Sequence, residues 1–177
     1  MVGRDQPSTQ KSKQKGIKTM AKYEIRFSCG HTETIELLGN QDERFARLAW
    51  LERNGQCSKC WKAEKHGEAI KTLLDANIPD LTTGSPKQIS WADSLRADFF
   101  EGNSKLYGFL GDVSEIVDAL TAVGADDKVK FSSVDEAKDQ VKTYVLNNQL
   151  SAKWWIDARS NAQAQRDALK AWAATLC

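Results

Sequence analysis

Four cysteines and two histidines carry nearly all the metal-binding potential of this 177-residue chain, and their spacing is uneven. Cys29-Gly30-His31 sets a thiol and an imidazole two positions apart, and the intervening glycine can take the positive φ that lets both side chains converge. Cys57-Ser58-Lys59-Cys60 supplies a C-x-x-C pair after 25 intervening residues, enough for one strand and one helix to bring the chain back. In a reducing compartment, a C-x-x-C without a βαβ context marks a metal site more often than a disulfide. Cys29, His31, Cys57 and Cys60 therefore form a candidate tetrahedral Cys3His site. Soft thiolates with one imidazole favour Zn2+, and four protein ligands leave no position for a catalytic water, so the expected ion is structural. His66 is the competing fourth ligand. On a helix starting near Ser58 it lies about 9 Å along the axis from Cys60 and would have to leave the helix to reach the ion. The alternative is an unmetallated hairpin with free thiols. Cys177 reads as an incidental terminal thiol.

The elements that must position these residues follow from periodicity. Tyr23, Ile25 and Phe27 alternate with Glu24, Arg26 and Ser28, and a second strand-like run spans Thr32 to Leu38, so Cys29-Gly30-His31 falls at the tip of a hairpin. Gly39-Asn40 breaks the run, and residues 42–54 return to a helical period ended by Asn54-Gly55. Another helix is expected from the C-x-x-C pair through Leu74, closed by Asn77, Pro79 and a turn-rich stretch. Ser85-Pro86-Lys87-Gln88 is a capping-box start for a helix to about Phe100. Residues 102–111 read as a loop containing Tyr107 and Phe109. Helices follow over about 114–123 and, from a second capping box at Ser133–Glu136, to about Asn147. Residues 151–177 hold one or two more. The fold class is α+β: a small zinc-binding β-hairpin/helix module over 21–78, then an all-helical region over 85–177, with no internal repeat.

Composition excludes several classes. With 41% hydrophobic and 28% charged residues the chain is neither collagen-like nor low in complexity. No window holds the 18 or more apolar residues of a membrane span, and the N-terminus lacks the apolar stretch of a secretory signal, so a cytoplasmic protein of a bacterial host cell with no membrane partner is expected. The net charge of +1 conceals an asymmetry. Residues 1–22 carry Arg4, Lys11, Lys13, Lys15, Lys18 and Lys22 against Asp5 alone, and the remainder is correspondingly acidic. The stretch 1–20 has too few large apolar side chains to offset the entropy of ordering and reads as a disordered basic arm. Met20 is an alternative natural start.

The segment YEIRFSCGHTETIEL, a helix, and then RNGQCSKCWKAEK resembles the zinc-ribbon-like or treble-clef-like module of uncharacterised short proteins encoded by bacteria, phages and plasmids. GSPKQISWADSLR and SAKWWIDAR resemble stretches in such mobile-element proteins too. The resemblance implies a zinc module on a small accessory protein that binds a protein or nucleoprotein target, including inhibition of host defence of the anti-CRISPR kind. It assigns no activity.

Other features have ordinary readings beside functional ones. Six tryptophans, at helical spacing with apolar neighbours, read mainly as core. Trp154-Trp155 is the exception, because neighbours on a helix point about 100° apart and one of the two is expected to be exposed for binding. Asp126, Asp127, Asp135 and Glu136 belong to an acidic stretch that reads as a solvated helix face, or as a surface able to occupy a groove meant for nucleic acid. No phosphate loop, dinucleotide fingerprint or nucleophile context is recognisable, so the chain is not expected to be an enzyme. A hydrolase or nuclease ranks last. The alternative to a protein-binding accessory is a regulator that contacts nucleic acid through the arm and the zinc module. These classes separate in a salt series: about five phosphate contacts give a log–log salt slope near −4. A protein-targeting chain shows no appreciable binding to bare nucleic acid, and deleting residues 1–19 changes nothing.

Overall fold

The structure, a computed structural model, describes residues 19–125 and 129–177. Two antiparallel strands, β1 (Thr19–Arg26) and β2 (Thr32–Gly39), precede eight helices among the described residues. These are α1 (Gln41–Asn54), α2 (Ser58–Asp75), α3 (Pro86–Phe100), α4 (Lys105–Leu110), α5 (Val113–Val123), α6 (Val134–Asn148), α7 (Ala152–Ala158) and α8 (Ala162–Ala174). The fold is α+β, as the sequence implies. The chain divides into two compact units, one ending at Trp61 and the other starting at Lys62. The sequence pattern suggests a break after residue 78. The packing puts it inside α2, because Ala69, Leu73 and Ile78 are buried with the helices that follow. No described helix is long and apolar enough to cross a membrane.

In the first unit, the hairpin register pairs Tyr23 with Ile35 and Ile25 with Glu33, so alternate residues of both strands share the face that carries Ile25. The opposite face pairs Lys22 with Glu36, joined by an exposed 3.1 Å ion pair. Asn40 caps α1 through a complete capping box: Glu43 N donates to its Oδ1 (2.9 Å), and its own N donates to Glu43 Oε2 (3.0 Å). Arg44 then ties α1 to the hairpin, its Nε donating to the Tyr23 hydroxyl (2.8 Å) and its Nη1 to Gly39 O (2.6 Å). Leu48 and Leu51 pack on a core whose fully buried members, among the described residues, are Ile25, Phe27 and Cys57. No residue of α1 is itself buried.

The second unit has a conventional core. α2 ends in a Schellman-type turn, with Asn77 at φ +52° and Ile78 N donating to Leu73 O (2.9 Å). Ser85 and Gln88 cap α3 reciprocally, as the sequence predicts. α3 packs on α7 and α5 on α8. Phe99 meets Trp155 edge-on at 5.4 Å, and Trp155 Nε1 donates to Gln149 O at 2.7 Å. The expected loop over 102–111 is corrected: residues 105–110 form α4, capped by Ser104, which accepts from Tyr107 N at 3.0 Å. Gly102, Gly108 and Gly111 make the stretch look like loop, but Leu106 and Leu110, one turn apart, are both buried and hold the helix down.

Arg96 is the unusual core member, only 1% exposed. Its Nη2 donates to Pro79 O and to Leu146 O (3.5 Å), and its Nη1 faces Asp93 at 3.4 Å. Burial pushes the Asp93 carboxyl above its ordinary range, opposed by the Arg96 charge. One guanidinium thus joins the α2–α3 connection to the end of α6. Asp93→Ala, which strands that charge, should cost about 3 kcal/mol in urea denaturation. Arg96→Met with Asp93→Asn should cost less than Asp93→Ala alone.

Candidate metal centre

The hairpin tip is a tight turn. Phe27 N donates to His31 O and Gly30 N to Phe27 O, both at 2.9 Å, with Gly30 at φ +81°. A side chain is strained at that φ, which is why glycine stands between the two ligands. The second half of the site is held against this tip through Gly55, whose carbonyl accepts from Ser28 N (3.0 Å) and Ser28 Oγ (2.6 Å). Cys57 and Cys60 then sit at the start of α2.

One ligand atom from each of Cys29, His31, Cys57 and Cys60 lies within 4.8 Å of every other. His31 presents Nδ1, which stands 3.3 Å from Cys60 Sγ. Cys57 N points at Cys29 Sγ and Cys60 N at Cys57 Sγ, each at 3.4 Å. The Cys57 N–H aimed at Cys29 Sγ favours the Cys29 thiolate, the form that ligates metal. Metal–sulfur bonds near 2.3 Å in a tetrahedron require sulfurs about 3.8 Å apart, and the observed cluster accommodates that spacing. The four residues can bind a metal ion. All four cysteines of the chain are free of disulfides.

Thiol acidities within the cluster are split. The N–H of Cys57, followed by that of His31, pulls Cys29 down to about 6. Cys60 is pushed up to about 11, first by its hydrogen bond with the Cys57 side chain, then by desolvation and by Cys29. One negative charge is accommodated readily and further charge is resisted, which is the electrostatic state a divalent cation would relieve.

Among the sequence candidates, His31 rather than His66 joins the cluster. His66 belongs to the second unit, and its buried Nδ1 has no hydrogen-bond partner. Sequence reasoning missed Glu33. Its carboxylate accepts from Ser58 N (2.8 Å) and Ser58 Oγ (2.7 Å), capping α2 at the C-x-x-C pair from the neighbouring strand. The only sequence signal was the absence of an acid in the first turn of α2.

The remaining candidates are scattered. Trp155 is fully buried and offers no binding face, and Trp154 is half-buried against it at 5.2 Å. The core reading fails for Trp50, Trp61 and Trp91, which are 48%, 54% and 46% exposed. Long cations cover part of two of them, with the Arg47 guanidinium 4.8 Å from the Trp50 ring and that of Arg159 4.4 Å from Trp91. Asp135 and Glu136 lie in the first turn of α6, beside a groove of about 720 Å³ that Tyr144, Trp172 and Leu176 also line. Lys11, Lys13, Lys15, Lys18, Asp126 and Asp127 lie outside the described residues. Comparison of the chain with protein-family models, curated proteins and solved structures returned no match.

Because Cys60 holds its proton well above neutrality, metal binding must release at least one proton at pH 7.5. Titrating Co2+ into metal-free protein, followed by thiolate charge-transfer absorbance, should show affinity rising at least about tenfold per pH unit between pH 7 and 9. Below pH 6 the dependence should steepen as Cys29 also protonates. A pH-independent affinity would contradict ligation through Cys60.

Proposed function

We propose that Cys29, His31, Cys57 and Cys60 hold a structural Zn2+ ion, and that the chain is a non-catalytic binding protein whose first unit folds around it. The observation that carries this reading is the convergence of four protein ligands, three of them thiols, within 4.8 Å. Three soft sulfurs and one imidazole suit zinc in a tetrahedron, and a sphere filled by side chains leaves no site for an activated water. A hairpin and one helix around three buried residues also need a stabiliser beyond their apolar core.

Binding rather than catalysis is supported by the half-exposed Trp50 and Trp61 in the same unit. Large aromatic side chains held at a surface are the usual anchors of protein interfaces. The target class is a protein or nucleoprotein complex, and the resemblance to phage- and plasmid-encoded accessory proteins makes a host factor in the bacterial cytosol the natural place to look.

Purified chain should carry about one equivalent of zinc, since one such cluster is found among the described residues. Chelation or Cys29→Ser should abolish amide-exchange protection in β1, β2 and α1 while the Phe99–Trp155 core stays protected. Under about 0.2 equivalents of metal, or unchanged protection in Cys29→Ser, would refute the zinc reading.

A further inference from the structure

α2 carries two apolar stripes, and only one is used by its own chain. Ala69, Leu73 and Ala76 pack into the helical core. Ala63, Gly67, Ile70 and Leu74 are all exposed, Ile70 in part at 38% and Leu74 more fully at 62%. Steps of four, three and four residues keep these positions within about 60° of one another around the helix, over about 16 Å of its length. This is the spacing of a helix–helix seam. All four lie in the second unit.

Gly67 marks the seam as more than a chance row. Glycine inside a helix costs about 1 kcal/mol relative to alanine. Here a Cβ would meet nothing within 4 Å, and no positive φ demands glycine. The chain's own packing therefore gives no reason for it, whereas a second helix approaching closely would.

We propose that this stripe is a self-association surface on which α2 of a second copy lies antiparallel. A two-fold axis at the level between Glu68 and Ala69 sets Gly67 opposite Ile70 of the other copy and Ala63 opposite Leu74, so every large side chain faces a small one. A parallel pair would set small on small and large on large. Charge favours the same orientation. Glu64 and Lys71, both exposed, border the stripe on one side, and in the antiparallel pair each Glu64 faces Lys71 of the second copy twice over. A self-complementary patch of this kind is what a closed dimer requires. The seam is short, so the dimer is weak, with a dissociation constant roughly in the micromolar to millimolar range. The inference is independent of the metal reading.

Sedimentation velocity of the full chain in zinc and reductant, from about 10 μM to about 1 mM, tests it. The expected result is a concentration-dependent monomer–dimer equilibrium. Leu74→Glu, an exposed change that leaves the fold and metal content intact, should raise the dissociation constant about 100-fold, because each dimer loses two apolar contacts. Glu64→Lys should weaken the dimer, and adding Lys71→Glu should restore it. The proposal is overturned by a monomer throughout the range, by a dimer that survives Leu74→Glu, or by a double charge swap that does not recover.

Discussion

The first unit rests on a shortage of apolar mass. Ile25, Phe27 and Cys57 are its only fully buried apolar side chains among the described residues, and one of them is a thiol of the candidate metal site. Burying two hydrocarbon side chains contributes only about 4 kcal/mol, far less than the backbone entropy of ordering a hairpin and a helix. Polar contacts tie the elements together: the Asn40–Glu43 box, the Arg44 bridge to Tyr23 and Gly39, and the Ser28–Gly55 link. Each is partly solvated and contributes little net free energy. What remains is the convergence of Cys29, His31, Cys57 and Cys60, which puts the chemistry and the folding problem in the same place.

The second unit solves the same problem by ordinary means. Phe99, Trp155, Leu169 and Trp172 are almost wholly enclosed, and a single buried arginine satisfies backbone carbonyls from separate segments. The second unit thus holds an interior of its own that does not draw on the Cys29, His31, Cys57 and Cys60 cluster.

Local rules made much of this legible in the sequence. Strand alternation around Cys29-Gly30-His31 located the hairpin, and the ligand set followed from Cys spacing and the reach of a helix from Ser58. The Ser85–Gln88 box could be read directly because both partners lie within one turn. What escaped depends on residues far apart in the chain. α4 looks like loop until Leu106 and Leu110 are seen to be buried. Leucine neighbours made Trp50 and Trp91 resemble core, yet their flat faces are covered by arginines rather than by apolar packing. In Trp154-Trp155 the alternation was readable, but not which ring turns inward.

The cap that Glu33 places on α2 bears on the order in which the first unit assembles. α1 brings its own cap, Asn40, and can nucleate from local sequence. α2 has local bonds at its start, with Trp61 N donating to Cys57 O at 3.0 Å, but its first free N–H finds its acceptor on β2, 25 positions earlier in the chain. Glu33 meets that N–H from the paired strand, and the turn it caps carries Cys60. Strand pairing, the cap of α2 and the placing of Cys57 and Cys60 beside Cys29 and His31 thereby support one another through a single carboxylate.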